Sequence, residues 1–310
     1  MSPHRVVIAE FMDEEAVARL RTRFEVTYDP ALAEQPERLA AAIAAAPALI
    51  VRNRTEVREA LLDAAPRLRV IGRLGVGLDN IDITACAERG VRVIPATGAN
   101  ADAVAEYVIA AVLILLRGAY GATARIAAGE WPRTALTGRE AQRRLLGLVG
   151  FGDIARRIVP RATALGMRIA AHDPLVGEDE IRRNGAEPMP LDRLVAEADA
   201  VSLHVPLTDT TRKLIDARRI GAMRPDAVLI NTARGGIVDE EALITALKEG
   251  RLGGAALDVF ESEPPEQPHR FAGVPNLLLT PHIAGVTRES NRRVSLLIAE
   301  RVAAELDRLA

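Results

Sequence analysis

The chain alternates short apolar runs with longer amphipathic stretches from its first residues onward. Val6–Ala9, Glu25–Tyr28, Leu49–Val51, Val70–Gly72 and Val91–Ile94 read as strands. Between them, Asp13–Arg23, Pro36–Ala46, Glu56–Ala64 and Ile81–Arg89 repeat apolar residues at helical spacing. Such alternation predicts a parallel sheet with helices on both faces. Ala101–Gly118 is the longest predicted helix, with Asn100 as its N-cap. It is apolar nearly all round after Glu106, which predicts burial between domains or between subunits. The helical pattern continues over Tyr120–Gly129 and stops at Trp131-Pro132.

A second alternating set runs from Leu145 to about Gly285. Its strands are Leu145–Val149, Met167–Ala171, Ala200–Leu203, Val228–Ile230, Ala255–Leu257 and Leu277–Leu279. Helices are expected after the first of these and near Leu191–Ala196, Asp216–Ala222 and Asp239–Glu249, and Val286–Leu309 forms a last helix. No Gly- or Ser-rich linker separates the halves, and no short-period repeat is present.

Leu145 to Asp173 reads LLGLVGFGDIARRIVPRATALGMRIAAHD, which is strand, glycine turn, helix, strand, acid. That order is the dinucleotide-binding unit. Gly150 allows the tight turn, Gly152 lets the backbone approach a pyrophosphate, and the helix N-terminus offers N–H groups to it. Ala155 stands at the third position, where helix and strand pack closely. Asp173 can accept hydrogen bonds from ribose hydroxyls and would repel a 2′-phosphate. No arginine follows within HDPLVGEDE to neutralise one, so NAD is favoured over NADP.

Composition narrows the class. A chain of 310 residues suits two domains, each with its own core. Hydrophobic content of 49% with a net charge of −2 describes a globular protein without the basic surface that nucleic acid requires. The lysines are Lys213 and Lys248, and the other basic residues are arginines, a bias of composition. Cys86 is the single cysteine, which excludes an internal disulfide and a thiolate metal cluster, and no metal is expected. MSPHRVVIAE has no signal-peptide layout, and the longest apolar run, Val108–Leu116, is too short to span a bilayer. A cytoplasmic enzyme or binding protein is the expectation.

Ligands of open α/β sheets bind beyond the carboxyl ends of the strands. Two first-half loops lie there, Val51-Arg52-Asn53-Arg54-Thr55 and Arg73-Leu74-Gly75-Val76-Gly77-Leu78-Asp79-Asn80. Gly75 and Gly77 would let backbone N–H groups face an anion. Taken alone each loop is a tight turn with solvated arginines, but two at one sheet edge point to an anionic ligand. In the second half, NTARGG (231–236), DVFESE (258–263) and TPHIAG (280–285) follow three strands. They supply a guanidinium, acidic side chains and an imidazole. Hydride transfer to a 2-oxo acid needs these parts: a guanidinium to hold the carboxylate bidentately, and an imidazole, oriented by a carboxylate, to move the proton.

These motifs identify the chain as resembling a D-2-hydroxyacid dehydrogenase of the 3-phosphoglycerate dehydrogenase-like branch. LGLVGFGDIA, INTARGGIVDEEAL, AALDVFESEP, TPHIAG and RLGVGLDNID carry the resemblance, which covers essentially the whole chain. It implies two doubly wound parallel-sheet α/β domains: a flavodoxin-like substrate domain (1–97 plus 286–310) with an inserted Rossmann NAD-binding domain (98–285). It implies Arg234 as the substrate-carboxylate residue, Glu263 as the carboxylate partner of the histidine and His282 as the acid/base. Asp258 would contact the nicotinamide carboxamide. Val76, Asp153, Ile154, Thr232, Ala233, Arg234, His282 and Gly285 would line the cofactor with Gly150, Gly152 and Asp173. Backbone around Gly75, Val76 and Gly77 would hold the substrate carboxylate beside Arg234. His204, in LHVPLT, is expected to be structural. The substrate is a small 2-hydroxy acid, with no nucleic-acid or membrane partner and a homodimer through Ala101–Gly118.

The longer 3-phosphoglycerate dehydrogenases carry C-terminal regulatory domains. This chain stops after its last helix, so serine feedback of that kind is not expected. EFMDEEAV and the VRNRT and RLGVGLDN loops resemble a bacterial subgroup linked to sulfolactate oxidation, where Arg52, Arg54 and Arg73 would meet a second anionic group. Glyoxylate or hydroxypyruvate reduction is the alternative within the enzyme class. An NAD-sensing corepressor on the same fold is the alternative outside it, and the intact Arg234, Glu263 and His282 set argues against that.

Overall fold

The structure, a computed structural model, describes residues 4–265 and 270–309, so the first three residues of the N-terminal stretch read above, and Ala310, lie outside the described residues. The chain divides into two compact units, 1–100 with 286–310, and 101–285. The first unit holds β1 (Arg5–Ile8), α1 (Glu14–Arg21), β2 (Glu25–Tyr28), α2 (Pro36–Ile43), β3 (Ala48–Val51), α3 (Glu59–Asp63), β4 (Val70–Arg73), α4 (Ile83–Glu88) and β5 (Arg92–Pro95). Its strands pair in parallel in the order β2-β1-β3-β4-β5, with Ile8 opposite Ile50. That is the flavodoxin-like order, which reverses between β1 and β3.

Both faces of this sheet are covered at its centre, so β1, β3 and β4 carry runs of buried residues at successive positions, whereas the edge strands β2 and β5 do not. Val6, Ile8, Ile50 and Val70 pack on one side with Met12, Val17 and Leu20. Val294, Ile298, Val302 and Leu306 of the last helix, Arg288–Arg308, complete that cluster. Val7, Leu49, Val51 and Ile71 pack on the other face with Leu39, Ile43, Leu62 and Cys86. Each such fully buried aliphatic side chain stabilises the fold by about 1.5–3 kcal/mol.

The second unit holds α5 (Ala101–Arg117), α6 (Thr123–Ala127), β6 (Leu145–Val149), α7 (Asp153–Ala164), β7 (Arg168–His172), α8 (Glu178–Arg183), β8 (Glu187–Pro188), α9 (Leu191–Glu197), β9 (Ala200–Leu203), α10 (Ala217–Ala222), β10 (Val228–Asn231), α11 (Glu240–Lys248), β11 (Gly254–Leu257) and β12 (Leu277–Leu279). The seven strands lie in the order β12-β11-β10-β9-β6-β7-β8, all pairs parallel. This is the dinucleotide-binding order extended by one strand, and it reverses between β6 and β9.

Four local readings change. Glu56–Ala64 is not wholly helical, because Val57 forms a parallel bridge with Ile81, which also delays α4 to its N-cap Asp82. The pair α8 and β8 gave no sequence signal, since α8 buries only Ile181 and β8 is two residues long at a sheet edge. α5 does not run on into Tyr120–Ala127, because the chain turns by 70° there and Gly118 has a positive φ of 65°. α5 packs on α7, β10 and β11 of its own unit, which buries most of its apolar residues and leaves Ile114 exposed. Among the described residues no single helix is long and apolar enough to cross a membrane.

Candidate active site

All five residues of β6 are buried, and the turn after it opens at the point where the sheet order reverses. Gly150 has φ +93°, and a Cβ there would lie 2.6 Å from the carbonyl oxygen of His204, so only glycine fits. Around Gly152 there is open space where a side chain would stand. Gly152 caps α7 without a side-chain acceptor, so the first-turn N–H groups are available to an anion. Ala155 is fully buried, as the third position of the motif requires.

Asp173 follows β7. Its Oδ2 accepts from the Phe151 N–H at 2.8 Å and its Oδ1 from the Leu175 N–H at 2.8 Å, which ties the acid to the glycine turn. A carboxylate has about four acceptor sites, so two remain for ribose hydroxyls. Thr232 Oγ1 is buried with no hydrogen-bond partner among the described residues. An open glycine turn, an uncapped helix start and an orphaned hydroxyl fit a dinucleotide.

Three loops after β10, β11 and β12 carry the reactive groups. Asn231 is buried at the end of β10. Its Oδ1 accepts from the Ala233 N–H at 3.1 Å, and its Nδ2 donates to the Arg234 carbonyl at 2.8 Å. This closed turn fixes Arg234, whose Nη1 donates to the Ala233 carbonyl at 2.6 Å. Gly235 follows because a Cβ there would lie 1.8 Å from the Phe260 carbonyl oxygen.

Glu263 takes the Phe260 N–H on Oε1 at 3.0 Å and faces His282 Nδ1 with Oε2 at 2.7 Å. Burial pushes its carboxyl up, but the bonds from His282 and the Phe260 N–H, with the charges of His282 and Arg234, outweigh burial and hold it below the usual carboxylate value. His282 sits at φ +54°, a left-handed conformation for a non-glycine residue. Asp258 holds it there. The His282 N–H donates to the Asp258 carbonyl at 2.8 Å, the Ile283 N–H to Oδ1 at 2.8 Å and the Ala284 N–H to Oδ2 at 2.8 Å. Thr280 Oγ1 also donates to Asp258 Oδ1 at 2.6 Å and pairs with the Tyr107 hydroxyl at 2.6 Å.

His204 lies across the switch point from Gly150. Its Nε2 pairs with Ser202 Oγ at 2.9 Å, and its Nδ1 is buried without a partner among the described residues. Part of the residue reaches the surface, yet burial of the ring pushes its pKa down to about 3.

In the first unit, the 52–55 loop is organised around an acid that sequence reasoning missed. Glu10 is 2% exposed and accepts four backbone N–H bonds: Arg52 (2.8 Å) and Thr55 (3.0 Å) on Oε1, Asn53 (3.2 Å) and Arg54 (3.1 Å) on Oε2. Burial alone would raise its pKa, but the N–H groups of Thr55, Arg52 and Arg54 outweigh that and lower it. The half-exposed Arg54 guanidinium pairs with Glu34, and its Nε lies 4.0 Å from Glu10 Oε2. Arg52 Nη2 donates to Asn291 Oδ1 at 2.8 Å, and burial, partly offset by the Glu10 charge, lowers its pKa. The Gly75 N–H is turned to the Arg73 carbonyl at 2.8 Å rather than outward, and the Arg73 guanidinium lies against Gly75. Val76 is 40% exposed and Gly77 partly so.

Comparison with known proteins places this architecture. The model of the D-isomer specific 2-hydroxyacid dehydrogenase NAD-binding domain matches residues 109–284. The chain belongs to the D-isomer specific 2-hydroxyacid dehydrogenases. It is 53% identical to the (S)-sulfolactate dehydrogenase of Chromohalobacter salexigens over 96% of both chains. It is 39% identical to D-3-phosphoglycerate dehydrogenase 2, chloroplastic, of Arabidopsis thaliana over 97% of this chain and 48% of that one, so it spans about half of that relative. An NADPH-dependent glyoxylate/hydroxypyruvate reductase of Sinorhizobium meliloti, solved with NADP and malonate, superposes with a TM-score of 0.83 at 30% identity, covering 98% and 94% of the two chains.

Within this dehydrogenase, the structure brings Glu263 and His282 into contact, with the Arg234 charge acting on Glu263, and Asp258 beneath the His282 loop. Asp153 and Ile154 open α7, and Gly285 ends the second unit. Glu10 and Tyr107 stand outside the sequence motifs, and Asn80, Asn231 and Thr280 fall within the candidate loops without an individual role. Glu10 did carry a signal: an acid just past an apolar strand, as at Asp173.

Proposed function

We propose that this dehydrogenase transfers a hydride between NAD and C2 of a small 2-hydroxy or 2-oxo acid carrying a second anionic group, of the 3-sulfolactate or 3-phosphoglycerate kind. The observation that carries the reading is the 2.7 Å contact of His282 Nδ1 with Glu263 Oε2. With Nδ1 committed, Nε2 is the nitrogen left to take the C2 hydroxyl proton during oxidation and return it during reduction. Glu263, an anion at neutral pH, stabilises the imidazolium formed in that step. Arg234 holds the substrate carboxylate, and Arg52 meets the anionic tail. A bound nicotinamide dinucleotide supplies the hydride acceptor and donor, held by the Gly150–Gly152 turn, the start of α7, Asp173 and Thr232.

Asp173 supports NAD, since its charge would face a 2′-phosphate. The decisive assay follows NADH absorbance with 3-sulfolactate, 3-phosphoglycerate, glycerate and lactate against both cofactors. Activity on an anionic-tailed acid with a kcat/KM preference for NAD is expected; a preference for NADP, or silence on every acid, would overturn the reading. Neutralisation of Arg54 by Glu34 leaves fewer cations for a tail and keeps hydroxypyruvate reduction as the second reading.

A homodimer through Ala101–Gly118 belongs to the same proposal, with exposed Ile114, Tyr120, Ile126 and Trp131 as its apolar surface. A monomer in sedimentation would remove it. A cytoplasmic setting matches a chain with one buried cysteine, and recovery outside the cytosol on cell fractionation would remove that reading.

A further inference from the structure

Glu10 lies two residues beyond β1, at the reversal of strand order in the first sheet, where open α/β sheets place ligands. It does not itself serve a ligand. A carboxylate has about four acceptor sites, and the N–H groups of Arg52, Asn53, Arg54 and Thr55 use them. The loop is also held from its other side, where Asn80 Nδ2 donates to the carbonyls of Thr55 at 2.7 Å and Arg52 at 3.3 Å. Both clamps act chiefly on backbone, with Arg54 Nε a further 4.0 Å ion-pair contact of Glu10, so they fix the course of the loop and leave the Arg52 guanidinium to other partners.

Arg54 then turns to Glu34, while Arg52 reaches the amide oxygen of Asn291 on the last helix and forms no ion pair among the described residues. A guanidinium in this setting keeps donors in a rigid fork for a planar or tetrahedral anion. We infer that Glu10 and Asn291 are positioning residues that set the Arg52 guanidinium and thereby select 2-hydroxy acids bearing a second anionic group. The inference rests on the assignment of Arg52 to the substrate tail.

Glutamine cannot replace Glu10 quietly, because its NH2 would confront N–H donors, whereas aspartate keeps both acceptors. The test compares KM and kcat for 3-sulfolactate and 3-phosphoglycerate with those for glycerate, which has a hydroxyl in place of the anion. Glu10→Gln is expected to raise KM for the anionic-tailed acids by roughly tenfold or more, since a small misplacement of a binding group has effects of that order. KM for glycerate should move far less, kcat should be retained, and Glu10→Asp should recover part of the loss. Asn291→Ala should shift the same KM values in the same direction while leaving the backbone clamp intact, and it decides the matter if Glu10→Gln does not fold.

Equal loss on all three acids, a fall in kcat alone, or an unchanged KM in Asn291→Ala would overturn the inference. Arg52→Ala separates the two assignments. If it keeps the preference for anionic tails, the tail assignment fails and the inference with it. If it abolishes the preference while Glu10→Gln and Asn291→Ala retain it, the inference alone fails.

Discussion

Glu10 and Asp258 use one device in two units of the molecule. Each is a buried acid just past a strand, and each takes backbone N–H groups from the loop that follows the neighbouring parallel strand: β3 for β1, β12 for β11. Each loop presents functional candidates, Arg52 with Arg54 in the first unit and His282 in the second. The difference lies in what else the acid does. Glu10 spends itself on four N–H groups of a loop with no positive-φ residue. Asp258 takes two N–H groups and the Thr280 hydroxyl, and the loop it holds carries His282 at φ +54°. A clamp that only orders a loop is separable from chemistry, whereas one that maintains a left-handed catalytic candidate is not.

The comparison can be broken most severely at Asp258. Asp258→Ala strands the Ile283 and Ala284 N–H groups, at about 1–3 kcal/mol for each buried unsatisfied group, and leaves the Thr280 hydroxyl with Tyr107 alone. Calorimetry should show the second unit melting several degrees lower, and turnover should fall with it. A variant of unchanged turnover would show that His282 holds its conformation without the clamp.

Acid sharpens the contrast next. His204 is neutral in the folded second unit down to about pH 3, against an ordinary value of 6.5. Unfolded chains bind that proton first, so stability is lost as pH falls below 6.5 toward about 3. Glu10 is depressed instead, so its contribution is full above its ordinary 4.5 and is lost only as pH falls through its lower folded value. Melting followed from pH 7 downward should therefore weaken the second unit first, and His204→Asn should flatten that early loss. Identical pH profiles for wild type and variant would remove His204 as the cause.

The smallest effect is expected at Arg54. Its pair with Glu34 is exposed and worth about 1 kcal/mol at most. Arg54→Ala should leave KM for anionic-tailed acids unchanged, and a large rise would return Arg54 to the substrate.

What the sequence made legible follows from range. Strands and helices are readable because the inner strands of both sheets are buried on both faces, and periodicity reports burial. Gly150, Gly152 and Asp173 were readable because the turn, the helix start and the acid fall within one local unit. The strand-end residues Arg234, Glu263 and His282 were readable as types of chemistry. Their 2.7 Å contact was not, since Glu263 and His282 are 19 residues apart. Glu10 was missed for the same reason: its donors lie 42 to 45 residues away. Backbone N–H groups also leave no mark in side-chain patterns. The Arg54–Glu34 pair spans 20 residues and leaves no local signal either.

In the proposed reaction His282, set by Glu263 and Asp258, moves the proton in hydride transfer. The most direct test of this role is turnover of His282→Ala at the NADH band, with NAD affinity measured by titration on the same preparation. A fall in kcat of about 10²–10⁴-fold is expected, the range for loss of a general acid–base, with NAD binding intact. A His282→Ala enzyme that turns over at the wild-type rate would contradict it.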